Sequence, residues 1–446
     1  MNNYQLSIKN YQLYKDSGVE WLGDVPEHWE VRRIQDLAYK IGDGLHGTPN
    51  YIDSSDFYFI NGNNLIDGKI FIFESTKCIS EDEFLKYTKK IGKNSILLSV
   101  NGTIGNLAFY NNESVVLGKS AAYIDLKNNI NKQYVYYFLQ STKVNNFFET
   151  TYAGTTIKNL SLRTIKLTSI LNPPLSEQKS IATYLDTKTA QCDRKIDLLT
   201  QKATQYGKLK QSLINETVTR GLDKSVPMKD SAIGEIPEHW EVKRLKDLSD
   251  IQNSNVDKKS YDDEIPVKLC NYVDVYKNEF IDSSLNFMEA TATKSEIKQF
   301  TIKKGDVFIT KDSETCDDIA IPALATESLD GVLCGYHLAR FRMKEKIFLG
   351  SYLFRLFQSK SYGFRFVISA KGITRVGLGQ SAIADSLTPV PPLSEQKAIA
   401  DYLDKKTAQI DQIIQTINTQ IEKLKELRKT LINDVVTGKI KVINNW

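Results

Sequence analysis

The sequence predicts an α+β protein. Two mixed α/β domains are joined by two long helices that pair as an antiparallel coiled coil with pseudo-two-fold symmetry. Three observations carry that prediction. First, Pro173-Pro174-Leu175-Ser176-Glu177-Gln178-Lys179 recurs as Pro391-Pro392-Leu393-Ser394-Glu395-Gln396-Lys397. The match runs on from Ile181, Ala182, Tyr184, Leu185 and Asp186 to Ile399, Ala400, Tyr402, Leu403 and Asp404. Second, Val25-Pro26-Glu27-His28-Trp29-Glu30-Val31 returns as Ile236-Pro237-Glu238-His239-Trp240-Glu241-Val242. Third, apolar residues recur at every seventh position behind each copy of the long phrase. Between the paired phrases the two halves differ, so a duplicated frame carries two unlike inserts in one fixed geometry.

In chain order, residues 1–172 form the first mixed domain, with its repeat phrase at 22–37, and 173–222 a central helical spacer. Residues 223–390 form the second domain, with its phrase at 233–248, and 391–446 a C-terminal helical spacer. The first insert reads as short strands beside turns: Phe57 to Ile60 before Asn61-Gly62, Lys69 to Phe73 after Asp67-Gly68, Ile96 to Val100 before Asn101-Gly102. In the second, Gly305 to Thr310 occupies the place of Gly92 to Leu97, and Tyr336 to Arg342 that of Ala122 to Leu126. Each insert ends in an aromatic helix, Tyr134 to Phe148 and Phe348 to Phe366.

The spacers follow. Ile410, Ile417, Leu424 and Leu431 are spaced by seven, Ile413 and Leu427 fall between, and Ile414 and Ile421 widen the stripe. In the first spacer Leu199, Tyr206 and Leu213 form the seam, with Leu209 between and Lys195 and Lys202 interrupting it. Pro174 and Pro392 mark the starts, Ser176 and Ser394 serve as N-caps, and Glu177 and Glu395 place negative charge in the first turn. Each helix runs about 40 residues, or roughly 60 Å. The plain alternative is that each is a core helix of its own domain; the narrow stripe and broad polar faces speak for pairing.

Composition bounds the function. An apolar content of 41% and a charged content of 25% are those of ordinary globular protein. The longest apolar runs, such as Ser95 to Val100, are far too short to span a bilayer, and the N-terminus lacks a signal pattern. Cys78, Cys192, Cys270, Cys316 and Cys334 are odd in number and scattered, which fits reduced thiols and a cytoplasmic protein. The net charge of +4 permits nucleic-acid binding without demanding it.

Strings that look like chemistry fail on inspection. Asn172-Pro173-Pro174-Leu175 is close to the Asn-Pro-Pro-aromatic motif of amino-methyltransferases, but its fourth residue is Leu and the repeat has Val390 in place of Asn. Leu117-Gly118-Lys119-Ser120 is half a phosphate loop, with Glu113 where the first glycine belongs. Gly42 to Gly47 lacks dinucleotide spacing. Glu296-Ile297-Lys298 is a fragment of a nuclease pattern that any chain this charged contains by chance. His28 and His239 belong to the repeated phrase and point to a structural corner around Trp29 and Trp240. The sequence offers no metal cluster and no nucleophile–base pair.

The paired Pro-Pro-Leu-Ser-Glu-Gln-Lys helices and paired Pro-Glu-His-Trp-Glu phrases closely resemble the specificity subunit of type I restriction-modification systems, over nearly the whole chain. Gly154 to Leu160 resembles the family's lead-in to the first spacer, and Lys371 to Arg375 is a looser version before the second. The resemblance implies two target recognition domains that read the halves of an asymmetric bipartite site in double-stranded DNA. It also implies two modification (methyltransferase) subunits and restriction (translocase and nuclease) subunits as partners. Adenine methylation and cleavage of foreign DNA, in defence against phage, then belong to those partners. S-adenosylmethionine, ATP and Mg²⁺ would be bound by them, and this chain would hold no cofactor, metal or active site of its own.

Each domain is expected to read roughly 3–5 base pairs, with phosphate contacts for position and base-edge contacts for sequence. In the first, the candidates are His46, Thr48, Asn63, Asn64, Asn101, Thr103, Lys119, Ser120, Thr155 and Lys158. In the second they are Lys311, Asp312, Ser313, Glu314, Thr315, His337, Arg340, Lys371, Thr374 and Arg375. Arginine suits guanine and asparagine suits adenine in the major groove. For any one of them the bland alternative is a solvated loop residue. The exposed faces of 176–219 and 394–437 are the expected docking surfaces for the modification subunits. Two rivals differ in kind: a protein scaffold that never touches DNA, whose binding would respond little to salt, and an enzyme that itself modifies or cuts DNA.

Overall fold

The computed structural model describes residues 10–89, 91–152, 158–344, 346–372 and 374–442. The chain divides into two compact units, Met1–Leu199 with Thr419–Trp446, and Thr200–Asn418. The long helices are Leu175–Arg220 and Leu393–Val436. Each unit therefore contains the first half of one long helix and the second half of the other. Among the described residues no helix is long and apolar enough to cross a membrane.

The first unit is built on an antiparallel sheet in the order Leu107–Phe109, Ser95–Ser99, Ala121–Leu126, Ala38–Asp43. Ser95–Ser99 is buried along its whole length, as a central strand covered on both faces must be. A second sheet runs Val115–Leu117, Tyr58–Ile60, Lys77–Ile79, Tyr51–Ile52, its first pair parallel. The second unit repeats the first sheet as Pro322–Ala325, Val307–Thr310, Leu338–Met343, Ser249–Asn253, and adds Phe280–Ile281 beside Pro322–Ala325. Its other sheet runs Met288–Ala292, Ile265–Cys270, Leu329–Cys334, Thr301–Ile302.

Register corrects the sequence alignment of the inserts. Ile96 lies opposite Ile124, and Val307 opposite Phe341, so Val307 and not Ile309 takes the place of Ile96. The slip is two residues, which keeps every side chain on its own face and so leaves no trace in the hydrophobic pattern. The aromatic helices are also divided. Lys132–Gln140 and Thr142–Thr151 break at Ser141, whose side chain accepts from the Val144 N–H. Gly350–Gln358 and Lys360–Ser369 break at Ser359.

The repeated phrases meet. Glu177 takes His28 Nε2 at 2.9 Å and the hydroxyl of Tyr11; Glu395 takes His239 Nε2 at 2.8 Å and the indole N–H of Trp240 at 3.1 Å. Gln178, buried, donates to Asn172 and the Pro173 carbonyl and accepts the Asn131 N–H at 2.9 Å. Gln396 does the same work with the carbonyls of Pro391 and Ile347 and the Leu349 N–H. The helices begin at Leu175 and Leu393, so Ser176 and Ser394 lie inside the first turn and are not the N-caps. The prolines ahead of them supply the first carbonyls, Pro174 to Gln178 at 2.9 Å and Pro392 to Gln396 at 2.9 Å.

The helix ends close the same corners. Gly221 (φ +72°) follows the first long helix, and a Cβ there would stand 2.6 Å from Glu395 Oε1. Gly438 (φ +76°) follows the second and lies against Pro26 and Trp29. Both are glycines because a left-handed residue ends the helix where no side chain fits.

The helix halves run antiparallel in both units. In the first, Asp193 pairs with Arg428 at 3.0 Å, while Ile181 and Leu185 share a core with Ile432 and Val435. In the second, Lys210 pairs with Asp411 at 2.8 Å, while Ile214 and Val218 share a core with Ile399 and Leu403. Ile410, Ile417 and Ile421 are buried, with Ile414, Leu424 and Leu431 half-buried. Ile413 and Leu427 are 38% and 55% exposed, so the positions between the sevens are Ile414 and Ile421, in the alternating four-and-three spacing of a coiled-coil seam. Leu209 is likewise exposed, and Lys195 and Lys202 lie off the seam and do not interrupt it.

Candidate nucleic-acid interface

One backbone node occurs in both units. In the first, the Val100 N–H donates to the Ser120 carbonyl at 2.9 Å, and the Leu160 N–H to the Val100 carbonyl at 2.8 Å. In the second, the Lys311 N–H donates to the His337 carbonyl at 3.0 Å, and the Leu378 N–H to the Lys311 carbonyl at 2.8 Å. A bridge beside it joins Asn101 to Asn159 in the first and Asp312 to Gly377 in the second. On the other flank the Gly118 N–H donates to the Ile60 carbonyl and the Gly335 N–H to the Cys270 carbonyl, both at 2.8 Å. Asn101 thus stands where Asp312 stands, and Ser120 where His337 stands. The frame is shared and the side chains are not.

In the first unit the node gathers most of the expected polar loops. The Leu45 N–H donates to the Leu117 carbonyl at 2.6 Å, which brings exposed His46 beside Lys119 and Ser120; the His46 ring rests on Asp43 at 2.6 Å. Ser120 Oγ donates to Asn61 Oδ1 at 2.9 Å and accepts the Gly62 N–H at 2.9 Å, next to exposed Asn63. Lys158, two residues from Leu160, holds its ammonium 5.5 Å from the centre of the Tyr152 ring. Thr48 and Thr103 are exposed on the outer parts of two of these loops, and the Thr103 carbonyl accepts the Ser99 hydroxyl. Thr155 lies outside the described residues. Asn64 is a correction: its side chain is buried, donating to the Phe71 carbonyl and Thr76 Oγ1 and accepting the Asn61 N–H.

The second unit presents a charged cluster. Asp312 takes Lys311 at 3.0 Å, Arg375 Nη2 at 3.0 Å and the imidazole Nδ1 of His337. Arg375 Nη2 also lies 3.1 Å from His337 Nδ1. His337 has φ +75°. Burial pushes its pKa below the ordinary histidine value, against the pull of Asp312. Ser313 is buried and takes the Tyr272 hydroxyl at 3.2 Å, while Glu314 and Thr315 are exposed, the Thr315 hydroxyl donating to Asp318 at 2.8 Å. Lys371 and Thr374 are exposed, and the Lys371 backbone pairs in both directions with Gly377 at 3.0 Å. Arg340 is the second correction. It is 1% exposed, its Nη1 and Nη2 donating to the Gln299 carbonyl and Asp250.

The sequence model of the type I restriction modification DNA specificity domain matches residues 26–205 and 237–423. The chain belongs to that family. Among curated relatives, the type I restriction enzyme MjaVIII specificity subunit of Methanocaldococcus jannaschii is 25% identical, across 97% of this chain and 98% of its own length. The EcoKI specificity subunit of Escherichia coli is 21% identical, across 94% and 90%. The HsdS subunit from Thermoanaerobacter tengcongensis has a similar fold, with a TM-score of 0.53 at 15% identity, covering 93% of this chain and 98% of that one. So does a chain solved in work on complex assembly and conformational transition of the type I R-M system, with a TM-score of 0.70 at 15% identity over 93% and 99%.

For a type I specificity subunit the task is DNA sequence recognition, and at the node its two units carry different side chains on one backbone frame. Sequence reading missed three residues there. Asn61 orients Ser120, and only its place in an Asn-Gly turn hinted at a role. Asp318 anchors Thr315. Tyr336 is exposed, its ring tilted against that of His337 with ring centres 3.9 Å apart, and it lies 5.2 Å from the Lys311 ammonium. Comparing the two inserts position by position in the corrected register would have found Tyr336, which matches Lys119. Glu296, the best fragment of a nuclease pattern, is instead the capping-box partner of Thr293. Among the described residues no three His, Cys, Asp or Glu side chains are grouped to hold a metal.

Proposed function

We propose that the two units read the two unlike halves of a bipartite DNA target. The long helices hold the unread gap and offer their exposed faces to two modification subunits. Restriction subunits join that assembly. S-adenosylmethionine, ATP and Mg²⁺ serve those partners, which methylate adenine and cut foreign DNA, and this chain supplies recognition without catalysis. One observation carries the reading: a single backbone node bears Asn101 and Ser120 in one unit and Asp312 and His337 in the other. Phosphate contacts set position and can be alike in both units, whereas base-edge contacts must differ if the half-sites differ.

The test is co-expression with the neighbouring methyltransferase subunit, followed by methylome sequencing. The expected result is one methylated motif of two different half-sites around a fixed gap. Replacing the second unit's insert with that of a relative should change one half-site only. A protein scaffold that ignores DNA would give no motif, and its partner binding would respond little to salt.

A further inference from the structure

We propose that Arg375 reads a guanine in the half-site recognised by the second unit, with Asp312 and His337 as the residues that position it. The inference rests on the DNA-reading function above and adds to it a base and a residue. Four observations carry it. Arg375 is about half exposed while Asp312 and His337 are largely covered, so the arginine reaches outward from a fixed base. The contacts the structure gives its guanidinium run through Nη2, to Asp312 and to the His337 ring. Among the described residues no contact is given to Nη1 or Nε.

The platform beneath is tied together by backbone pairing. Asp312 and Ser313 pair with Gly377 and Val376, Lys371 pairs with Gly377, and the Lys311 N–H holds the His337 carbonyl. A guanidinium held at Nη2 from one side can present the parallel N–H pair of Nη1 and Nη2 in a set direction. That matches the paired N7 and O6 acceptors of guanine in the major groove. A phosphate would ask less of the protein. It accepts from any direction, favours a full positive charge, and gains nothing from a carboxylate that offsets that charge.

The fourth observation is the asymmetry. The equivalent positions of the first unit hold Asn101 and Ser120, with no charge in either. A device for gripping the backbone would serve both half-sites; a device present in one unit alone serves sequence.

The experiment uses the complete complex with its methyltransferase subunits, carrying wild type, Arg375→Ala, Arg375→Lys or Asp312→Asn. Methylome sequencing should show a guanine in the wild-type half-site assigned by insert exchange to the second unit. Arg375→Ala should relax that one position by on the order of ten- to hundredfold, with the other half-site unchanged. Arg375→Lys, which keeps the charge and loses the fork, should not restore it. Asp312→Asn should relax the same position in part, an effect that a general loss of structure would not confine to one base.

Competition binding with 7-deazaguanine at that position, which removes N7, should weaken the wild-type complex and leave Arg375→Ala unaffected. Three results would overturn the inference: no guanine in that wild-type half-site, an Arg375→Ala variant with unaltered discrimination, or an even loss at all positions that lysine repairs. A wild-type complex that methylates no two-part motif would instead bring down the DNA-reading function, and the inference with it.

Discussion

At the scale of single residues, the strongest constraint is Gln396, with its twin Gln178. Its buried amide donates to two carbonyls and accepts one N–H. Gln396→Ala should therefore destabilise the second unit by about 2–4 kcal/mol, since unpaired buried groups bear their full desolvation cost. Lys397→Ala, exposed beside it, should stay within about 0.5 kcal/mol. Urea titration of both variants checks this. Thiol chemistry gives a second residue-scale prediction. Burial pushes the Cys334 thiol up to about 12 and raises that of Cys270 as well, so both should resist alkylation in the folded protein. Cys316 is exposed one residue beyond Thr315 and should react first. Mass spectrometry of alkylated protein with and without target DNA should show Cys316 protected by the DNA; equal labelling would place that loop away from it.

At the scale of elements, the two helix ends are the informative places. Gly438→Ala must put a methyl group into Pro26 while holding a left-handed backbone, and Gly221→Ala must put one against Glu395. Each should cost about 1–3 kcal/mol, read as a lowered melting temperature, whereas Gly207→Ala, which meets nothing nearby and sits within a helix, should be neutral or stabilising.

Much at this scale was legible in the sequence because repetition exposes it: the long helices, their proline starts and the structural corner around Trp29 and Trp240 all follow from phrases that occur twice. The heptad positions between the sevens were not. Ile413 and Ile414 are equally apolar, and only the partner helix decides which is covered. The candidate site was legible in part for a similar reason. Turn chemistry pointed to Asn101, Ser120, Asp312, His337 and Arg375, which the fold brings to the two nodes, whereas Asn64 and Arg340 are buried, and burial is set by neighbours far away in sequence.

At the scale of the whole molecule, the long helices set a consequence that neither unit alone can have. If they fix the unread gap, then length inserted into one of them must appear as distance between half-sites. One helical turn adds about 5.4 Å, and DNA rises about 3.4 Å per base pair, so a one-turn insertion after Thr200 should lengthen the gap by one or two base pairs. The half-sites should stay as they are, because the nodes that carry Ser120 and His337 lie outside the helices. A four-residue insertion also shifts the seam against its partner by half a heptad, locally unwinding the pair. It should therefore lower methylation overall while leaving the motif's two ends intact. A seven-residue insertion keeps the seam in phase and should recover stability while lengthening the gap further. Methylome sequencing of the two variants separates the readings. A gap that grows in steps with the inserted length makes the helices a ruler, and an unchanged gap with altered half-sites would mean that spacing is set elsewhere in the assembly.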